Sequence, residues 1–156
     1  MSMRAAAITF FALTNFYLLA AMLMFQRVVY PAFRLVSHAG FPAYYGAFTS
    51  RIALVVVVPE FLAFLSAVPL LFWRDASLGA WVAWVALGAG ALYMAITFGL
   101  HLPVHRALAE GDNGPAVVDA LLSTNGARTI VQALKCIFVG WAVARATRHS
   151  TGSLGS

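Results

Sequence analysis

Two charges interrupt runs of sequence that are otherwise apolar, Glu60 and Lys135. Glu60 follows Pro59 and lies nine residues beyond Arg51, about 13 Å deeper on a helix that rises 1.5 Å per residue. Lys135 lies seven residues beyond Arg128, about 10 Å deeper on the same count. In hydrocarbon such a charge costs several kcal/mol and must be neutral, paired or wet. The matching depths predict a Glu60–Lys135 pair. As a structural device that pair fixes helix register. As chemistry, Glu60 takes or gives a proton, while Lys135 and Arg128 stabilise developing negative charge.

Other polar residues gather at the same end. Arg128, Gln132 and Lys135, at spacings of four and three, form one stripe on a helix, with Asn125 close to its line. Tyr45 and Thr49 share the face of Glu60, whereas Arg51 falls nearly opposite; Tyr93 or Met94, with Thr97, shares a face with His101. Asn15 and Gln26 share a face of the first apolar segment, where Asn15 either bonds a neighbouring helix or lines a pocket. The expectation is a funnel open on one side. Asn15, Gln26, Tyr45, Thr49, Arg51, Thr97, Asn125 and Gln132 contact substrate, and His101 is a second proton carrier.

His101 and His105 have the four-residue spacing that on a helix holds a metal, although Pro103 between them disturbs the geometry. Two histidines are few for a metal site, and hydrogen-bonding histidines at the membrane interface are the alternative. The cofactor is one transition metal or none. With Glu60 as the one carboxylate in an apolar run, a carboxylate-rich di-iron bundle is excluded. A single cysteine, Cys136, excludes an internal disulfide, a CxxC pair and a zinc knuckle.

The elements that must position these residues follow from composition. The chain is 62% hydrophobic and 10% charged, against about 25% charged in a soluble domain. Four runs approach the ~20 residues that span a bilayer, roughly Ala5–Phe25, Ile52–Trp73, Leu78–Leu100 and Thr129–Ala144. This predicts an all-α integral membrane four-helix bundle in one domain, residues 1–148, with residues 149–156 as a flexible tail. Pro31 and Pro103 begin short interfacial helices in the first and third links, and Arg74-Asp75-Ala76-Ser77 is a tight turn. A short amphipathic helix at Val117–Leu122 precedes the fourth span; whether Gly126 separates the two is left open by the sequence. The first run is too long for a signal-peptide core. The net charge of +5 speaks of membrane orientation, not nucleic acid. Setting aside Arg51 and Arg128, arginines favour the side of the termini by 4 to 3, which places both termini in the cytoplasm.

Tyr30-Pro31-Ala32-Phe33, Arg51-Ile52 with Pro59-Glu60, His101-Leu-Pro103-Val-His105 and Asn125-Gly-Ala-Arg128-Thr129 together resemble small four-span proteins of bacterial membranes. More distantly they resemble the fungal anthrone oxygenases. The resemblance runs from about Gln26 to Lys135, although the histidines those bacterial proteins often carry near Tyr45 and Phe48 are missing here. It implies a bacterial inner membrane and an enzyme acting on an apolar cyclic molecule drawn from the bilayer. The reading is therefore acid–base or oxygenation chemistry on a small lipophilic substrate, as an oxidoreductase or isomerase, with membrane lipid around it. The alternatives are a transporter or channel subunit gated by Glu60–Lys135, which a homo-oligomer would make feasible, and a non-catalytic partner subunit.

Overall fold

A computed structural model describes residues 3–72 and 79–152, all in helices and short turns with no strand among the described residues. The Arg74–Ser77 turn and tail residues 153–156 lie outside them. Four helical stretches are long and apolar enough to cross a membrane: α1 (Ala5–Leu35), α2 (His38–Phe72), α3 (Ala80–Ala109) and α4 (Pro115–Arg145, whose helix continues to Gly152). They form a four-membered ring in which α1 and α3 each pack against both α2 and α4.

At 30 to 35 residues each stretch is about 45–50 Å long, more than the ~30 Å hydrocarbon layer requires. The excess lies at one polar end, where Arg34 of α1 pairs with Asp119 of α4 and His38 Nδ1 meets Asn113 Oδ1 at 3.0 Å. Trp81 and Trp141, 5.5 Å apart and partly exposed, mark an interfacial belt toward the other end.

The short helices expected in the links are present as Tyr30–Ala32 with Phe33–Leu35, and as Leu102–Ala109. They continue the spanning stretches without a break, through widened turns. Such turns occur at Phe25–Val29, Ala53–Val57 and Thr97–His101, each closed by a backbone N–H reaching five residues back. In every case a proline stands two residues after the turn: Pro31, Pro59 and Pro103. A proline ring collides with the carbonyl four residues back and gives it no N–H. Widening the turn moves that carbonyl aside and rotates the next stretch of helix by roughly a quarter turn. At Pro59 the carbonyl so freed is that of Val55, and it accepts the Tyr17 hydroxyl of α1 at 2.9 Å.

Gly126 does not interrupt α4, which is one helix from Pro115, so the amphipathic stretch and the fourth span are continuous. The link before α4 turns at Gly111, whose φ of +97° suits glycine, and Asp112 Oδ1 accepts the Gly114 N–H at 2.9 Å.

Candidate functional site

The widened turns and their prolines bring Tyr30, Glu60, His101 and His105 onto one cavity of about 490 Å³. Its walls come mainly from α2 and α3, which touch above and below it, and Tyr30 and Arg128 close its floor. Tyr45, Thr49 and Thr97 line it as their helix faces predict, beside apolar Ile52, Val56 and Leu102. Gly46, Thr49, Val57 and Leu102 are exposed, so the mouth opens sideways between α2 and α3.

Two polar groups meet there. In the first, the Arg128 guanidinium pairs with Glu60 and donates to the Tyr93 hydroxyl at 2.6 Å, and that hydroxyl donates to Glu60 Oε1 at 2.7 Å. All three side chains are buried. Arg128 Nε is buried and has no hydrogen-bond partner. In the second group, His101 Nε2 and His105 Nε2 lie 3.0 Å apart. His101 Nδ1 meets the Thr124 hydroxyl at 2.8 Å, and His105 Nδ1 meets the Tyr45 hydroxyl at 2.5 Å. The Tyr30 hydroxyl approaches His101 Nε2 at 3.3 Å. Pro103 does not spoil this pairing, because the widened turn ending at His101 absorbs it.

Lys135 is a correction. It does not pair with Glu60; its Nζ donates to the Ala63 carbonyl at 3.2 Å. Depth does not start at Arg128: the helix begins thirteen residues earlier at Pro115, so Arg128 already sits about 20 Å along it. Arg128 is the buried partner. Ala63 belongs to the last turn of the helical run Val58–Leu65, where Ser66–Val68 depart from the helix just before Pro69. The Ser66 hydroxyl donates to the same Ala63 carbonyl at 2.9 Å, and a cation is favoured at the carbonyl end of a helix, so Lys135 and Ser66 cap it together.

The expected stripe on α4 also divides. At about 100° per residue, Asn125, Gln132 and Cys136 cluster within about 40° and face α1, whereas Arg128 and Lys135 stand about 60–80° further round. Gln132 Nε2 donates to the Asn15 carbonyl at 2.9 Å, the Cys136 thiol meets that same carbonyl at 3.2 Å, and Asn125 Nδ2 donates to Gln26 Oε1 at 2.7 Å. Asn15, Gln26, Asn125 and Gln132 thus form a ladder between α1 and α4, buried except for half-buried Gln26, and none of them lines the cavity. Arg51 is not at the cavity either; it is exposed beside a separate groove with Tyr44 and Phe48.

Helical spacing left Tyr93 and Met94 as alternatives on the face of Thr97 and His101, and Tyr93 is the one at the site. Two members had no place in the sequence reading of the site. Tyr30 was marked by its Tyr-Pro step, which Val58-Pro59 and Leu102-Pro103 repeat. Thr124 had no signal without knowing that α4 is unbroken.

The arrangement can hold an oxygen atom on Arg128 and move a proton through the histidines. As metal ligands, His101 and His105 supply two nitrogens, and no group of three His, Cys, Asp or Glu side chains converges among the described residues. No family model, curated protein or solved structure matches the chain.

Proposed function

We propose that this protein is a membrane-embedded enzyme that moves a proton on a small lipophilic, cyclic substrate carrying a carbonyl or hydroxyl oxygen. The observation that carries the reading is the buried Arg128–Glu60 pair set beside the His101–His105 pair on the wall of a largely apolar cavity of about 490 Å³. The substrate oxygen sits toward the Arg128 guanidinium. Glu60 balances the guanidinium charge, and Tyr93 holds both. A base removes a proton next to the substrate carbonyl, the electron pair moves onto oxygen, and Arg128 stabilises the enolate. Returning the proton to another carbon completes an isomerisation. Where dioxygen takes the enolate's electrons instead, the outcome is an oxygenation.

The sideways mouth supports loading from the bilayer, and the likeness to small bacterial four-span proteins and anthrone oxygenases agrees with a cyclic substrate. The arginine balance supports both termini in the cytoplasm, and the likeness to bacterial four-span proteins supports a bacterial inner membrane. A gate built on Glu60–Lys135 has lost its pair, since Lys135 bonds the Ala63 carbonyl.

The test is hydrogen–deuterium exchange at carbon. Purified protein in nanodiscs is incubated in D2O with a panel of enolisable bicyclic ketones, 1-tetralone among them, and deuterium uptake is read by mass spectrometry. Uptake above the protein-free rate, lost in Arg128→Met, is expected. Background uptake across the panel contradicts the reading.

A further inference from the structure

Proton transfer at the cavity, the proposed function on which this inference rests, needs a base, and the two histidines are joined in a way that defines one. At 3.0 Å between the two Nε2 atoms, a single hydrogen fits between the rings. Each outer nitrogen faces a hydroxyl that has a backbone carbonyl in reach. The Thr124 hydroxyl donates to the Ala120 carbonyl at 2.9 Å, or to that of Leu121 at 3.1 Å. The Tyr45 hydroxyl reaches the His105 carbonyl at 3.2 Å as well as His105 Nδ1 at 2.5 Å.

Protons can be counted on this frame. A hydroxyl that donates to a carbonyl turns a lone pair to the imidazole and accepts from its N–H. With Thr124 so turned, His101 Nδ1 carries a hydrogen. With Tyr45 turned to Nδ1, a one-way chain runs from Tyr45 through His105 and His101 to Thr124, and the two rings hold two hydrogens, as neutral rings do. Turning Tyr45 to the carbonyl lets His105 Nδ1 carry a hydrogen too. The rings then hold three, and every ring nitrogen still has a partner. A fourth would set two N–H groups head to head.

We propose that His101 and His105 act as one base with room for a single proton, loaded through the Tyr45 hydroxyl on the cavity wall and oriented by Thr124. The substrate C–H or O–H bond breaks and its proton forms a new bond to Tyr45 Oη. The former Tyr45 hydroxyl proton passes to His105 Nδ1. The electron pair stays on the substrate as an enolate or phenolate, which balances the imidazolium. The other groups facing the pair are Arg128, matched by Glu60, the Tyr30 hydroxyl on the side of His101, and Arg106 on the cavity wall. Tyr45 touches the substrate; Thr124 is a positioning residue.

The experiment is an acid titration of the 15N-histidine-labelled full chain in nanodiscs, read by nitrogen chemical shifts. The chain has four histidines, and His38 and His149 serve as references. The expected result is one proton for the pair as the pH falls from about 8 to about 3, appearing at His105 Nδ1, with His101 Nδ1 protonated throughout. Thr124→Ser keeps that signature, and Thr124→Val loses it at His101 while the fold is retained by circular dichroism. Two protons taken up independently, none taken up, or an unchanged His101 signal in Thr124→Val overturns the proposal. Loss of carbon exchange with the one-proton titration intact faults the functional reading and leaves the base standing.

Discussion

Glu60 is energetically coupled to Arg128 and not to Lys135, and a pair of double-mutant cycles tests this. Both members of the pair are buried, at 6% and 3% exposure, and Tyr93 donates to the same Glu60 oxygen. Arg128→Met leaves a carboxylate facing a hydroxyl in a dry bundle, which costs about 3 kcal/mol or more when one partner of a buried pair is removed. Glu60→Gln strands the guanidinium but keeps an oxygen for Arg128 and Tyr93, so its cost is nearer ~2 kcal/mol. The double variant removes both charges at once. Its loss falls short of the sum by about 2 kcal/mol. For Glu60→Gln with Lys135→Met the sum holds to within about 0.5 kcal/mol, because Lys135 bonds a backbone carbonyl. The assay is unfolding in rising SDS, monitored by thiol labelling of Cys136, the only cysteine in the chain and 2% exposed. Coupling of Glu60 to Lys135, or additivity with Arg128, refutes the assignment.

The freed carbonyl of Val55 makes a second linkage: Tyr17→Phe costs about 1 kcal/mol of stability. In a Pro59→Ala background that cost disappears, because the substituted alanine supplies the missing backbone N–H; a cost of the same size in both backgrounds speaks against the linkage. Gly90→Ala brings a methyl group to 2.6 Å from Phe64 Cδ2 and lowers stability by about 1–3 kcal/mol, with Phe64→Leu restoring most of it in the same SDS titration. Gln132→Leu loses the bond to the Asn15 carbonyl and costs about 0.6 kcal/mol, at most ~1.7, while carbon exchange stays within about twofold of the parent. A large loss of exchange would return Gln132 to the site.

The bundle was legible because its apolar runs are long and almost free of charge, and because Pro and Gly fall where helices turn. The faces of Tyr45, Thr49 and Thr97 followed from helical periodicity, and Glu60 from the rarity of a carboxylate in such a run. The pairing went wrong for one physical reason: depth was counted from a charged residue taken as the membrane edge, and α4 starts thirteen residues earlier. The stripe of Asn125, Arg128, Gln132 and Lys135 looked single because its members lie within about a quarter turn. Two neighbouring helices divide it, and a linear pattern does not say where the boundary between them falls. The widened turns were also invisible, although each is tied to a proline that was in plain view.

The most direct test of the central claim is binding of an oxygenated ring to Arg128 in the cavity. The affinities of 1-naphthol and naphthalene for the protein in nanodiscs are compared in the parent, in Arg128→Met and in Thr49→Trp, which fills the mouth. A clear preference for 1-naphthol is expected in the parent, equal binding of the two in Arg128→Met, and loss of both in Thr49→Trp. Equal affinities in the parent, or binding untouched by Thr49→Trp, would contradict that claim.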